Sequence, residues 1–429
     1  MIDKHQNNYR KAKQSSIIKF FIIIILLNSV SLFKVMGGIV AQPIFVKSLN
    51  IVMIIALFIM CSLYKNALKG TMFLGISSAI LLLPIFFRGF SSELSIYDYV
   101  RFSLTYYYVL LSIPLFVVLK LNKFKFESFL KCIVIITTLS FALRTGISLL
   151  EHYTGTKLFS DIYLENARDN WYRNGYLRIN MPAFGLLIVP LIMYLIDTSR
   201  KRKKKYYIII LGFIMLYDLI VLQSRMQVVY TSAEILVYIV FKRRSSLRKL
   251  ILYLFLIIGA VILFNSSVFN NFIDTFSTSN SIYGGSSQMR LLEISAAIEK
   301  ILQNPLFGTG IQARDEIVLQ FGWIGYLSDL GVLYSFVILG ITPIIFDIIF
   351  IIRAIKAGLS SKELSKKNNS NYDVLGFSIA ASLLMTCVTS DWMNPYYAIC
   401  IPFIFAIIEY INSMNQKERK QKWVKGIVK

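Results

Sequence analysis

Charge is scarce in this chain. Of 429 residues only 16% are Asp, Glu, Lys or Arg, while 56% are hydrophobic and the mean hydropathy is +0.62. Soluble proteins carry about 25% charged residues, so this shortage excludes a string of soluble domains. Histidine is nearly absent, with only His5 and His152, which excludes a histidine-rich metal centre. The four cysteines (Cys61, Cys132, Cys387 and Cys400) all fall in apolar runs and form no CxxC, which excludes a disulfide framework. Acidic residues number 23 against 46 basic ones, a net charge of +23. The basic residues sit in short clusters between apolar runs, the pattern of loops in a membrane protein rather than of a nucleic-acid surface.

What remains is long apolar runs. A spanning helix needs ~20 mostly apolar residues. The runs predict an all-α polytopic membrane bundle of about twelve spans: 17–35, 45–64, 70–87, 101–119, 130–150, 179–197, 206–223, 226–241, 250–265, 331–352, 374–391 and 395–413. The basic start before 17–35 is expected to precede an uncleaved first span. With the N-terminus inside, the basic segments Lys4 to Lys19, Lys65 to Lys69, Lys120 to Lys131, Arg200 to Lys205, Lys242 to Lys249, Arg353 to Lys367 and Lys417 to Lys429 all fall inside. The expectation is one integral membrane domain over 1–429 with both termini inside and two long outer loops, 151–178 and 266–330. Within the second loop, residues 289–302 have helical period with a stripe of Leu291, Ile294, Ile298 and Leu302. This predicts a short amphipathic helix on the outer surface, stopped by Asn304-Pro305.

Arginine is sorted by side. Toward the outer ends lie nine arginines (Arg88, Arg101, Arg144, Arg168, Arg173, Arg178, Arg225, Arg290, Arg314) and four lysines (Lys34, Lys47, Lys157, Lys300). Retention inside needs only positive charge, whereas bidentate grip on a phosphate needs the planar guanidinium fork. The pattern points to an outward site for phosphate or diphosphate; ion pairs with Glu151, Asp161, Glu165, Asp169, Glu293, Asp315 or Glu316 are the structural alternative. Arg225 stands in the tight turn Gln223-Ser224-Arg225-Met226-Gln227, where contact with lipid headgroups is the bland account. Asp218, Glu234, Asp347 and Glu409 lie inside spans, where a proton-relay role and simple internal pairing compete.

Four stretches carry a resemblance. Leu222-Gln223-Ser224-Arg225 looks like a Ser-Arg turn, and Arg290 is followed by Asn304-Pro305-Leu306-Phe307-Gly308-Thr309-Gly310. Asp329-Leu330-Gly331 enters a span, as does Gly175-Tyr176-Leu177-Arg178 with Pro182 and Phe184. In this order and topology they resemble the O-antigen ligase and polymerase superfamily, including Wzy-type repeat-unit polymerases of O-antigen, capsule and exopolysaccharide. Ligases of that family carry a histidine about eleven residues before the acidic-x-Gly glycine. Here that neighbourhood reads Gln320-Phe321-Gly322, which favours the polymerase.

The resemblance implies a metal-independent, inverting glycosyltransferase of the bacterial cytoplasmic membrane, without cofactor or nucleic-acid partner. It would join repeat units linked to undecaprenyl diphosphate, among membrane lipids and beside a flippase and a chain-length regulator. Arg225 and Arg290 would act on the leaving diphosphate, with Asp329, Asp315 and Glu316 as the carboxylate candidates for the acceptor hydroxyl. Arg178, Arg173, Arg314 and Trp323 would bind substrate. Sugar stacking or interface anchoring are the two readings for Trp171, Tyr172, Tyr176, Phe321, Trp323 and Trp392. Ligase-type transfer to a final acceptor, and a lipid-linked oligosaccharide flippase, are the alternative functions.

Overall fold

The computed structural model of the chain describes residues 2–32, 43–64, 67–89, 94–156, 172–173, 175–242, 284–312, 316–319, 324–327, 330–362, 365, 371–389 and 391–427, with scattered positions between 251 and 277. It is an α-helical bundle. In chain order the helices are α1 (Ile2–Ser29), α2 (Pro43–Ser62), α3 (Met72–Gly89), α4 (Ile96–Ser103), α5 (Ser112–Lys120), α6 (Phe126–Thr154), α7 (Gly185–Thr198), α8 (Lys201–Tyr217), α9 (Arg225–Phe241), α10 (Gly284–Gln303), α11 (Val332–Leu339), α12 (Thr342–Ser360), α13 (Tyr372–Thr389) and α14 (Cys400–Ile427). Two short antiparallel ladders, β1 (Tyr172–Arg173) with β2 (Tyr176–Leu177) and β3 (Glu316–Val318) with β4 (Ile324–Tyr326), lie between helices.

Among the described residues four helices are long and apolar enough to cross a membrane: Ile44–Ser62, Met72–Gly89, Phe126–Thr154 and Lys201–Leu222. A fifth span results if Ile96–Ser103 and Tyr106–Lys120, bent by 42°, are taken together. Several of the twelve expected spans therefore take other forms. The expected single span 331–352 is two helices, because the chain breaks at Gly340 between α11 and α12. The expected span 179–197 begins as non-helical chain and becomes helical only at Gly185. The expected span 250–265 falls mostly outside the described residues.

The long helices pack on one another, α12 on α13 and on α14, α9 on α13 and α7, and α6 on α7. Their basic ends gather at one end of the bundle. Ser15 Oγ donates to the Lys123 carbonyl at 2.7 Å, the Lys123 ammonium lies 4.4 Å from the Tyr64 ring centroid, and Lys120 reaches the Lys69 carbonyl. Asp197 at the end of α7 accepts from Lys242, from the Tyr238 hydroxyl at 2.5 Å and from Asn371 Nδ2 at 3.2 Å. The half-buried guanidinium of Arg353 forks onto Glu409 and lies 3.8 Å over the Phe73 ring, so Glu409 has an internal partner.

A smaller second core lies under α10, where Ala297 and Ile301 meet Ile85, Tyr99, Leu327, Leu330, Tyr334 and Val337. The amphipathic helix exists and begins earlier than expected, but its buried face is different. Glu293, Ala297 and Ile301, spaced by four, turn inward, while Leu291, Ile298 and Leu302 are exposed. The small Ala297 side chain lets the helix approach α11, and Glu293 Oε1 accepts the Tyr326 amide of β4 at 2.8 Å. Satisfying that backbone donor compensates the burial of a carboxylate, which side-chain hydropathy alone would place outside. Trp392, a candidate for sugar stacking or interface anchoring, is instead fully buried in the main core.

Candidate functional site

The Ser-Arg turn is a built corner. Helix α8 ends at Tyr217, and residues Asp218–Leu222 widen into one π-helical turn. Asp218 is buried, and its Oδ2 accepts from Thr231 Oγ1 on α9 at 2.9 Å, which ties the two legs of the hairpin together. Gln223 then adopts a left-handed backbone (φ 49°), and Ser224 caps α9 by accepting from the Gln227 amide at 3.3 Å. Arg225 is thus the first residue of α9 and is half-buried. A helix N-terminus carries partial positive charge, so a guanidinium there is locally disfavoured unless an anion is close. The same combination of amides and guanidinium suits a phosphate oxygen.

The π-helical turn also leaves a carbonyl for a second arginine. Arg178 Nε donates to the Leu222 carbonyl at 3.1 Å, which brings Arg178 to the Arg225 corner. Arg178 starts a non-helical strap, residues 178–184, largely buried between helices. Polar backbone at this depth must find internal partners. Here the partners are side chains: the Tyr217 hydroxyl to the Ile179 carbonyl at 2.7 Å, Arg144 Nη1 to Asn180 at 2.6 Å, the Tyr396 hydroxyl to Met181 at 2.9 Å and Cys400 Sγ to Ala183 at 2.7 Å. Arg144 also reaches Ser140 Oγ at 3.2 Å and the Val30 carbonyl at 3.3 Å. It belongs to the bundle interior and not to the outward set of arginines.

Ahead of the strap, the β1–β2 hairpin covers the end of α6. The Tyr172 hydroxyl donates to Glu151 Oε2 at 2.8 Å, and Ser148 Oγ donates to the Leu177 carbonyl at 2.8 Å. His152 stacks on Tyr176 with ring centroids 3.8 Å apart, and its Nδ1 is 2.8 Å from the Gly175 carbonyl. These contacts hold Tyr172 and Tyr176 against α6.

The second arm of the site is α10 with the turn that follows it. Arg290 is half-buried on the first turns of α10. Beyond the helix, residues 305–310 dock backbone to backbone on the break in 332–360. The Thr309 amide donates to Val337 (2.7 Å), the Gly310 amide to Ile338 (3.0 Å), and the Ile341 amide to Pro305 (3.0 Å). Gly308 (φ +66°) and Gly340 (φ +70°) face each other's strands so closely that a Cβ on either would collide with the opposite backbone. Pro305-x-x-Gly308-x-Gly310 is thus a clasp for the α11–α12 break. Arg88 closes it from the side, its Nη2 donating to Asn304 Oδ1 at 2.6 Å.

Arg173 and Glu316 occupy β1 and β3, but their side chains lie outside the described residues. Arg314, Asp315, Trp323 and Asp329, with Trp171 and Phe321, lie outside them altogether. Sequence reasoning missed the supporting roles of Arg144, Tyr217 and Tyr396. Arg144 carried a usable signal, since a charge well within an apolar run must find an internal partner.

A comparison with curated proteins finds no match. Residues 210–336 match the family model described as O-antigen ligase. That stretch holds both the Arg225 corner and the Arg290 helix, so the part of the chain that carries them is similar to the O-antigen ligase family.

Proposed function

We propose that the protein polymerises oligosaccharide repeat units carried on undecaprenyl diphosphate, on the outer face of a bacterial cytoplasmic membrane. The observation that carries the reading is the Arg225 corner, a guanidinium on a helix N-terminus with Arg178 drawn to the adjoining Leu222 carbonyl, inside the segment that matches the family. In the reaction the acceptor hydroxyl oxygen attacks the anomeric carbon of the donor. The bond from that carbon to the phosphate oxygen breaks, configuration inverts, and the hydroxyl proton departs. The carrier diphosphate leaves with the bond's electrons. Arginine forks stabilise charge where it grows on that leaving group, without a metal. Asp329, Asp315 and Glu316 are the candidates for receiving or orienting the proton. Arg173, Arg314 and Trp323 complete the proposed substrate surface.

The frame for this chemistry is a single integral membrane domain with both termini inside and 151–178 and 266–330 outside. A flippase and a chain-length regulator are the natural partners. Ligase-type transfer remains the second reading because the matching family is described as O-antigen ligase. The absence of histidine from 266–330 favours the polymerase. Deleting the gene and profiling lipid-linked glycans separates them. Loss of long polymer with single repeats accumulating on the outer leaflet is expected. Normal polymer that fails to reach its final acceptor would establish the ligase, and repeats held on the inner leaflet would establish a flippase.

A further inference from the structure

Asp347 on α12 has a second buried carboxylate beside it. Asp391 follows the end of α13, and α12 packs on α13 so that the two acidic groups lie close enough to repel. Asp347 is 7% exposed and Asp391 1%. Among the described residues neither forms an ion pair with lysine, arginine or histidine. Asp391 Oδ1 accepts the Met393 amide at 2.9 Å, whereas its Oδ2 is buried with no donor. Asp347 Oδ2 faces the weak thiol donor of Cys387, 3.9 Å away. The pair stands where both arms of the candidate site meet. Residues 391–399 turn the chain from α13 into α14. On one side the Tyr396 hydroxyl donates to Met181 and Cys400 Sγ to Ala183, in the strap that begins at Arg178. On the other side Gly331, just before α11, packs so closely on the Cys387 and Val388 backbone that a Cβ would collide with it. Asn394 braces the turn, its amide donating to the Asp391 carbonyl at 3.1 Å and its Oδ1 accepting the Tyr396 amide at 3.0 Å.

We propose that Asp347 is protonated and hydrogen-bonds through that proton to Asp391 Oδ2, and that this bond positions the 391–399 turn between the Arg178 strap and α11. The positioning role rests on the glycosyl-transfer reading above, and the proton does not. Two adjacent carboxylates without a cation cannot both stay ionised in a low-dielectric interior. One proton between them removes the repulsion and supplies the donor that Oδ2 lacks. Two backbone amides favour negative charge on Asp391, since Met393 donates to it at 2.9 Å and the Ser335 amide of α11 is close by. The proton therefore belongs on Asp347. Among the described residues no group of three His, Cys, Asp or Glu gathers as a metal site would need, which favours a proton over a metal ion. A bond from a carboxyl to a carboxylate is charge-assisted and stronger than a neutral one. It ties α12 to a turn that otherwise holds the strap and α11 only from its outer sides. Asp347 and Asp391 act through these elements and touch no substrate, so both are positioning residues.

The test uses the full-length protein in lipid nanodiscs. Infrared spectra at neutral pH, in light and heavy water, read the carbonyl stretch of protonated carboxyl groups, and each variant is subtracted from the wild type. Asp347→Asn should remove one such band, because the amide replaces the O–H donor and Asp391 stays ionised. Asp391→Asn should shift that band without removing it. A full set of bands in Asp347→Asn, or the loss of one in Asp391→Asn, overturns the proposal. The second arm reads polymer on gels at matched protein levels in the membrane. Asp347→Asn should keep polymer near normal, since it keeps a donor. Asp347→Leu, of similar size but without one, should lower polymer at least ~10-fold, the loss of a charge-assisted hydrogen bond. Equal polymer from the Asn and Leu variants overturns the positioning role. The two amide variants are isosteric, so the infrared arm decides the proton even if Asp347→Leu folds poorly. Absence of polymer-forming activity in the wild-type protein would be the failure of the glycosyl-transfer reading, and would overturn the positioning role with it but not the proton.

Discussion

Arg225 and Arg144 show how differently one residue type is used within this bundle. Arg144 is buried, and its guanidinium satisfies the carbonyls of Val30 and Asn180. Arg225 opens a helix at a corner that Asp218, Thr231 and Arg178 hold in shape. Positive charge at a helix N-terminus contributes nothing to helix stability, so its value lies in what it binds. Lysine at Arg225 or Arg290 keeps the charge but loses the fork. Arg225→Lys and Arg290→Lys should each reduce polymer formation by ~10²–10³-fold, the effect of removing one preorganised donor, at unchanged protein levels in the membrane. Lys300→Ala on the same helix as Arg290 should leave polymer near normal. Near-normal polymer in both lysine variants, read on gels of extracted polysaccharide, would reduce these arginines to simple charges.

At the scale of elements, the clasp between 305–310 and the α11–α12 break is the most demanding piece of construction. Two backbones approach at Gly308 and Gly340, both at positive φ, with three amide hydrogen bonds between them. A Cβ at Gly340 meets the Leu306 and Phe307 backbone, and its conformation (φ 70°, ψ −153°) adds ~1–3 kcal/mol for any L side chain. Gly340→Ala should therefore lower the thermal midpoint of the purified protein in detergent. It should also free α10 from α11, seen as faster amide exchange in 305–310. Gly75→Ala is the matched control, since nothing lies within 4 Å of a Cβ there. Equal midpoints for the two variants would mean that the clasp contributes no stability. The strap 178–184 is the other irregular element, and side chains rather than backbone satisfy it.

For the whole molecule, the convergence of basic segments at one end is the main structural support for an oriented membrane protein. Lys69, Lys120 and Lys123 meet there with Ser15 and Tyr64, on the side opposite the Arg178 strap along α6. An excess of lysine and arginine marks the inner side of a membrane protein. A cysteine at Lys203 in the basic loop should accordingly resist a membrane-impermeant maleimide in intact cells. A cysteine at Thr156, after the left-handed Gly155 that ends α6, should react. The reverse labelling pattern would invert the orientation and move the proposed chemistry to the inner face.

Much of this protein was legible in its composition. Scarce charge, long apolar runs and clustered lysines determine an α-helical membrane protein, because a helix of ~20 apolar residues satisfies its own backbone within hydrocarbon. The turn at Ser224-Arg225 was legible too, although the sequence put Arg225 within the turn and the structure makes it the first residue of α9, capped by Ser224. The amphipathic helix was legible, but not the face it buries. Burial of Glu293 depends on an amide of β4 more than thirty residues away. The break at Gly340 was hidden for the same reason, because hydropathy reads 331–352 as continuous and only docking of 305–310 opens it. The expected helix 179–197 lost its first six residues to a strap whose carbonyls are satisfied by Arg144, Tyr217 and Tyr396. Local sequence sets which segments prefer hydrocarbon and which can cap a helix. The partners of a buried polar group come from distant parts of the chain, so only the tertiary structure decided them.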